Sequence, residues 1–208
     1  MEQIPGPSKE RLLYLMRLLE HGGKTIDEVG AITSTQIETL TGWASHTIRK
    51  DISFLEGNPG SSGGYNPRVL VLLIKKALGL EKRRKFCVVG LGRLGSAYLN
   101  NAELEEYELA AGFDTNVNRT EILKSPAPLY PAFKMGEVIG RFGIEIALLC
   151  VPVEAAQAAA DKLAAAGIKG ILNFAPAAIS VPPGVAVRNV YLVDELRSLT
   201  IRMKNEED

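Results

Sequence analysis

Three glycines with the spacing GxGxxG directly follow a short apolar run, Phe86–Val89, in this chain of 208 residues. When such a loop joins a strand to a helix, the first glycine permits a tight turn and the second lets a pyrophosphate approach the backbone. The third lets the helix pack closely on the strand, and the free N–H groups at the helix start bind the phosphates. We therefore predict a dinucleotide site that includes Gly90, Leu91, Gly92, Arg93, Leu94 and Gly95.

An acidic residue lies where the ribose of such a ligand would be bound. Asp114 comes 19 residues after Gly95 and ends a second apolar run. A carboxylate here accepts hydrogen bonds from a free 2′-hydroxyl and repels a 2′-phosphate. Asp114 therefore favours NAD(H) over NADP(H), although the nearby cation Arg119 works against this preference.

The elements that must position this site alternate between strands and helices. The pattern follows a basic segment, Glu81–Lys85, and is typical of a parallel sheet covered on both faces. We predict a doubly wound α/β Rossmann domain over residues 81–190. Its strands are predicted at Phe86–Val89, Leu109–Phe113, Ile146–Val151 and Gly170–Phe174, and its helices at Leu94–Asn101, Gly136–Phe142 and Glu154–Ala166.

Residues 1–80 have helical periodicity and precede that domain. A run of glycine, serine, asparagine and proline at residues 57–64 predicts a mobile loop. Capping residues and glycines set the predicted helix ends, with Ser8 and Ser45 as caps. The predicted helices are Ser8–His21, one from Thr33 or Ser34 to Gly42, Ser45–Leu55, and Val69–Leu78 with Pro67 in its first turn and Gly79 at its end.

The two short helices around Gly42 have the arrangement of a helix-turn-helix, and the loop and helix after them fit a winged variant. The second helix begins with small polar residues, followed one turn later by Arg49 and Lys50, which suit guanine edges and phosphates. A net charge of +3 on residues 1–84, against −3 on residues 85–208, favours an anionic partner. The predicted DNA contacts are Ser45, His46, Thr47, Arg49, Lys50, Ser53 and Ser61. An ordinary helical bundle is the alternative, and in either case Trp43 is expected to be a core anchor.

Composition excludes several classes of protein. With 46% hydrophobic and 23% charged residues, the chain is not disordered, collagen-like or a disulfide scaffold. It contains no apolar run of about 18 residues and begins without the pattern of a signal peptide. We expect a cytoplasmic protein with no membrane partner, in which Cys87 and Cys150 are buried thiols.

Four stretches together resemble the Rex family of redox-sensing transcriptional repressors: Ile48–Ser53 (IRKDIS), Val89–Gly95 (VGLGRLG), Val151–Gln157 (VPVEAAQ) and Ala166–Pro176 (AGIKGILNFAP). The resemblance covers nearly the whole chain. It implies a winged-helix domain and a Rossmann domain in a homodimer whose C-terminal helix, about Val193–Lys204 within residues 191–208, is exchanged between subunits. It also implies operator DNA near genes of fermentation and anaerobic respiration, with NADH and NAD⁺ as the sensed ligands.

Some positions depart from the family pattern. The wing offers Ser61 and Ser62 where an arginine is usual, and Asn101 lies at or near the position of a common tyrosine. Tyr191 replaces an acid that can pair with an arginine of the first helix, so Arg17 is expected to lack that partner unless Asp194 substitutes.

The resemblance also directs attention to the carboxyl ends of two further strands, where a nicotinamide pocket is expected. An apolar pocket penalises the cationic oxidised ring and not the neutral reduced ring, so we expect a preference for NADH. The residues concerned are Val151, Pro152, Asn173, Phe174, Ala175 and Pro176.

Two other functions remain open at this point: a small NAD-dependent oxidoreductase or epimerase, and a nucleotide-binding regulator of RNA or protein partners. Both histidines, His21 and His46, lie in the first 80 residues, which leaves none for acid–base work beside the dinucleotide. We predict no catalytic residue and no metal site.

Overall fold

A computed structural model of the chain describes residues 4–21, 30–61, 63–100, 104 and 106–207. The chain divides into two compact units, Met1–Lys82 and Arg83–Asp208. The division falls inside the basic segment at residues 81–85. Among the described residues, no helix is both long enough and apolar enough to span a membrane.

The first unit packs its helices around one apolar core. Its helices are α1 Gly6–His21, α2 Ser34–Thr41, α3 Ser45–Ser53 and α4 Pro67–Leu78. The helices α1, α3 and α4 contribute residues at i, i+3 or i+4 spacing, so that one face of each is buried, and α2 contributes Ile37. The core includes Leu12, Leu15, Leu19, Ile37, Ile48, Ile52, Leu70 and Ile74.

The ends of α2 and α4 follow the predicted signals. The Thr33 hydroxyl and the Gln36 side chain form a reciprocal capping box at the start of α2. Gly42 ends that helix with a φ of 73°. Asn66 caps α4 just before Pro67, and Gly79 ends the helix with a φ of 69°.

Two predicted caps are wrong. The helix α1 begins at Gly6, so Ser8 lies inside it and is buried. Ser45 is the first helical residue of α3, so the capping position before it belongs to Ala44. Ala44 makes no side-chain cap bond. The helix α1 begins before Ser8 and α3 begins at Ser45, so neither serine occupies the capping position. In sequence, a serine inside the first turn cannot be told from one that caps the helix. The helix α3 also ends at Ser53 rather than Leu55.

The predicted mobile loop at residues 57–64 is also wrong, because the segment contains a wing. Strand β1, Gly60–Ser61, pairs antiparallel with β2, Gly64–Tyr65. Tyr65 and Ile32 exchange two backbone hydrogen bonds of 2.8 Å. A Cβ at Gly60 would clash with the backbone of Gly64. The glycine here permits close pairing of two backbones, which composition alone does not distinguish from flexibility.

The second unit is a parallel sheet of six strands in the order β5-β4-β3-β6-β7-β8. The strands are β3 Arg84–Val89, β4 Tyr107–Asp114, β5 Leu129–Pro131, β6 Ile146–Leu149, β7 Gly170–Asn173 and β8 Ala186–Asn189. In order along the chain this is the 3-2-1-4-5-6 arrangement of a doubly wound dinucleotide-binding fold. The predicted fold class is confirmed.

Helices cover both faces of this sheet. They are α5 Arg93–Asn100, α6 Val117–Ile122, α7 Met135–Phe142 and α8 Val153–Ala165. The last helix, α9 Leu192–Glu207, follows β8, and its residues 192–204 are exposed. One buried cluster includes Phe113, Leu149 and Leu163, and a second includes Phe86 and Leu99. The sequence pattern did not predict β5, β8 or α6. Strand β5 has three residues and α6 has six, which are too few to show a period, and β8, with the sequence AVRN, is not an apolar run.

The two cysteines lie near the middle of the sheet. Cys87 on β3 is fully buried, as predicted, whereas Cys150 just after β6 is half-buried. Burial raises the pKa of each thiol to about 12, because desolvation disfavours the thiolate.

Candidate dinucleotide and DNA sites

The first and third glycines of the loop are required by the packing of the protein itself. Gly90 follows β3 with a φ of 90°, and a Cβ on it would lie 2.6 Å from the carbonyl oxygen of Cys150. Its N–H donates to the carbonyl of Phe113 at 2.8 Å. A Cβ on Gly95 would clash with the carbonyl oxygen of Gly90. These contacts hold the start of α5 against the end of β3.

Gly92 differs from its neighbours, because the protein leaves space beside it. A Cβ at this position would meet no atom within 4 Å, so internal packing does not require a glycine. Absence of a side chain here suits close approach of a ligand to the backbone. Arg93 and Leu94, at the start of α5, are exposed next to this space.

Only the backbone of Leu91 lies at the candidate dinucleotide site. Its side chain is buried in the core, and its N–H donates to Oδ2 of Asp114 at 2.8 Å. The Asp114 side chain is only 5% exposed. Its Oδ1 accepts the N–H of Asn116 at 2.7 Å, and its Oδ2 lies 3.4 Å from Nη1 of Arg119. The acid predicted to bind ribose thus also fixes the shape of the glycine loop.

Two further loops leave the sheet beside the glycine loop. The N–H of Cys150 donates to the carbonyl of Val89 at 2.8 Å, and the N–H of Phe174 donates to the carbonyl of Leu149 at 2.9 Å. Because β3, β6 and β7 are neighbours, their carboxyl ends meet at one edge of the sheet. The predicted residues of these loops are Val151 and Phe174, which are half-buried, and Pro152 and Pro176, which are exposed.

Asn173 and Ala175 are buried, and the Asn173 amide is used by the protein. Its Nδ2 donates to the carbonyl of Ala177 at 2.8 Å and to Oδ1 of Asn189 at 2.9 Å. Its Oδ1 accepts the N–H of Ala175 at 3.0 Å. We interpret Asn173 as the residue that shapes the loop after β7, with Phe174 and Pro176 as its accessible members.

Sequence reasoning missed two tyrosines at this edge. The Tyr191 hydroxyl donates to the carbonyl of Ala177 at 2.7 Å, which ties the start of α9 to the loop after β7. The Tyr98 ring of α5 lies 4.9 Å from the Phe174 ring, at 38°. The pKa of Tyr98 is raised, mainly by desolvation. The sequence signals were the helical spacing of Tyr98 from Gly95 and the departure of Tyr191 from the family pattern.

In the first unit, α3 presents one buried and one exposed face. Asp51 is buried on the inner face and accepts two hydrogen bonds from Arg11 of α1, at 2.6 and 2.9 Å. This paired contact fixes the orientation of α3 on α1. The predicted DNA contacts His46, Arg49, Lys50 and Ser53 are all exposed, whereas Ser45 and Thr47 are half-buried.

One hydrogen bond links the two helices of the helix-turn-helix on this exposed side. Nη1 of Arg49 donates to the hydroxyl of Ser34 at 2.9 Å. Trp43, in the turn, packs against the core and meets the Tyr14 ring edge-on, with centroids 5.2 Å apart. The predicted role of Trp43 as an anchor is therefore confirmed. Ser61 lies on β1 of the wing.

Comparison with known proteins finds relatives that match nearly the whole chain. Residues 81–177 match the family described as CoA binding domain. Redox-sensing transcriptional repressor Rex of Thermus thermophilus is 38% identical over 206 residues, which cover 98% of this chain and 95% of that protein. The Rex proteins of Porphyromonas gingivalis and Listeria welshimeri are 32% and 33% identical, over 93% and 94% of their own lengths. The chain belongs to the Rex family of redox-sensing transcriptional repressors.

Solved structures agree with this assignment. The crystal structure of RSP, a Rex-family repressor, has a TM-score of 0.85 at 32% identity and covers 100% of this chain and 98% of its own. RSP has also been solved with β-NAD⁺ and operator DNA, and with β-NADH. The predicted resemblance to Rex is confirmed over both units.

The structure describes some of the positions that depart from the Rex pattern. Asn101 and Ser62 lie outside the described residues. Tyr191 holds the Ala177 carbonyl. The guanidinium of Arg17 lies over the Tyr14 ring, 5.6 Å from its centroid, and Asp194 pairs with Arg197 on α9 at 2.9 Å. Within their own units, then, Arg17 and Asp194 each have a local contact.

Proposed function

We propose that this chain is a transcriptional repressor that binds operator DNA through α3 and the wing and is released when NADH binds to the second unit. One observation carries the proposal: a Rex-family chain combines a glycine loop braced by Asp114 with a helix-turn-helix that exposes Arg49 and Lys50. The relatives are transcriptional repressors by name, which favours this function over an oxidoreductase.

The residues at the sheet edge fit a dinucleotide. Gly92 leaves room for the pyrophosphate, and the start of α5 supplies the helix N-terminus that favours its charge. Asp114 would accept hydrogen bonds from the ribose hydroxyls. Val151, Pro152 and Phe174 would line the nicotinamide. When bound, the dinucleotide supplies a ring that is cationic when oxidised and neutral when reduced.

Two features of these loops favour the reduced ring. The lining residues are apolar, so that a cationic ring loses hydration without gaining a charged partner. The helix α8, 13 residues long, begins directly after Pro152 and places the positive end of its dipole at this loop. Exposed Glu154 in its first turn offsets part of that effect. We expect NADH to bind more tightly than NAD⁺.

We also propose that α9 pairs with a second copy of the chain. Six apolar side chains of this helix are each more than half exposed: Leu192, Val193, Leu196, Leu199, Ile201 and Met203. Four of them follow one another at spacings of four, three and four residues, the seam of a coiled coil. Sedimentation should give twice the 22.5-kDa chain mass, and Leu196→Asp with Leu199→Asp should reduce it to that of one chain.

The function is tested by DNA binding at controlled redox state. A duplex is selected by the ligand-free protein from a random-sequence library, and its affinity is measured by fluorescence anisotropy without ligand, with NADH and with NAD⁺. We expect NADH to weaken binding strongly and NAD⁺ to permit it. Equal affinity under all three conditions would refute the proposal, and turnover of NADH with candidate substrates would favour an enzyme.

A further inference from the structure

Asp114 accepts so many hydrogen bonds from the protein that too few acceptor sites are left for both hydroxyls of a ribose. Three donors reach its carboxylate: the N–H groups of Leu91 and Asn116, and Nη1 of Arg119. A carboxylate offers about four lone-pair sites. With all three donors in place, about one site is left, while the 2′- and 3′-hydroxyls of NADH need two.

Arg119 is the donor that can leave. The two backbone donors are 2.7 and 2.8 Å from the carboxylate and belong to the glycine loop and to the turn after β4. Arg119 contacts Oδ2 at 3.4 Å, and its side chain is 52% exposed. A contact this long, made by a half-exposed side chain, holds Arg119 less firmly than the short backbone hydrogen bonds hold their donors. NADH can therefore take the place of Arg119 on Asp114.

If NADH or NADPH displaces Arg119 from Asp114, the Arg119 guanidinium would lie beside the ribose of the ligand. We propose that Arg119 is a specificity-determining residue that lets this chain accept a 2′-phosphate beside Asp114 and so weakens its discrimination against NADPH. The proposal rests on the proposed dinucleotide site. Arg119 pairs with the phosphate by charge-assisted hydrogen bonds, which partly offset the repulsion from Asp114.

The two ligands thus make opposite demands on Arg119. For NADH it competes with the ribose hydroxyls for Asp114, and for NADPH it is the only cation shown in contact with the ribose-binding acid among the described residues. Removing it should weaken NADPH binding and leave NADH binding unchanged or slightly tighter. Keeping a positive charge there should preserve NADPH binding.

The test is calorimetry of the full chain with NADH and NADPH. In Arg119→Ala we expect NADPH affinity to fall about tenfold and NADH affinity to stay within about threefold of wild type or increase. Arg119→Lys should keep NADPH affinity within about threefold, because the charge is retained. The matched control, Lys124→Ala, removes the same charge from another exposed position and should leave the ratio unchanged.

Different outcomes would refute the role of Arg119 and the proposed function of the chain. A wild-type chain that binds neither dinucleotide would refute the proposed function. A wild-type chain that binds NADH but shows no measurable NADPH binding would overturn the role of Arg119. So would an Arg119→Ala variant, with an unchanged melting temperature, whose two affinities change by the same factor or not at all.

Discussion

The Asp114 carboxylate lies 2.8 Å from the backbone nitrogen of Leu91, across the start of the glycine loop. A residue predicted to bind the ligand therefore also holds the glycine loop. The side chain is almost fully buried, and its hydrogen bonds to two backbone N–H groups stabilise the turn before any ligand arrives. In the proposed site, recognition of the ribose and preorganisation of the glycine loop would both depend on this carboxylate.

Replacement of Asp114 should therefore affect both stability and binding. In Asp114→Ala, the buried N–H of Leu91 loses its acceptor, which costs about 1–3 kcal/mol of the free energy of unfolding. NADH affinity should fall about tenfold or more, since charge-assisted bonds to the ribose are lost.

The control for this prediction is Asp114→Asn, which keeps one acceptor oxygen and the size of the side chain. It should lose less stability than alanine while still losing NADH affinity. Denaturant unfolding and calorimetry measure the two effects. Wild-type NADH affinity in Asp114→Ala would show that the ribose lies elsewhere.

Arg49 should contact DNA directly, because α3 exposes it beside Lys50. Arg49→Ala should weaken binding to the selected duplex by about 1–3 kcal/mol, the cost of one bidentate base contact, and leave NADH binding intact. Arg49→Lys keeps the charge but not the fork, so it should lose sequence specificity more than total affinity.

Two variants serve as controls for Arg49. Arg141→Ala removes an exposed arginine from the second unit and should leave DNA affinity unchanged. Ser34→Ala removes the 2.9 Å contact with Arg49 and should cause a smaller loss than Arg49→Ala. Unchanged affinity of Arg49→Ala, measured by anisotropy, would remove Arg49 from the interface.

The glycine loop and Asp114 could be predicted because each answers a local rule. The spacing of Gly90, Gly92 and Gly95 follows from one turn between a strand and a helix, and Asp114 follows from the end of the next strand. The apolar runs likewise fixed β3, β4, β6 and β7. Such features depend on residues close in sequence.

The features that were missed depend on contacts distant in sequence or on very short elements. Gly60 lies opposite Tyr65 in a two-residue ladder that has no visible period. The pairing of Arg11 with Asp51 spans 40 residues, and that of Tyr191 with Ala177 spans 14. Nothing in the residue types predicts which partner such a polar group will find. The predictions of Ser8 and Ser45 as helix caps were wrong because, in sequence, a serine in the first turn of a helix cannot be told from a serine that caps it.

Asn173 should be the main support of the loop after β7. Asn173→Ala removes acceptors and donors for three partners inside the protein, so it should cost about 2–4 kcal/mol of the free energy of unfolding. Tyr191→Phe removes one donor from a carbonyl that Asn173 still satisfies, and should cost about 0.5–1.5 kcal/mol. Denaturant unfolding compares them; an equal or reversed order would contradict this assignment.

The two cysteines should be inert in the native protein. Because burial raises the pKa of Cys87 and Cys150 to about 12, the thiolate fraction at pH 8 is about 1 in 10,000. We expect slow reaction with a chromogenic disulfide reagent, slowest at Cys87, and rapid reaction of both thiols in denaturant. The native rate should rise as the pH approaches the raised pKa. Rapid native reaction of Cys87 at pH 8 would show that the sheet opens around β3.

NADH and operator DNA are expected to weaken each other's binding to this chain. A ligand shifts a conformational equilibrium only by its differential affinity for the two states. A hundredfold loss of operator affinity corresponds to about 2.7 kcal/mol of coupling, and the coupling must be reciprocal. The direct test measures NADH affinity with and without the selected duplex, and duplex affinity with and without NADH. We predict that each ligand weakens the other by the same factor, about a hundredfold; equal affinities within both pairs would contradict the redox-sensing account.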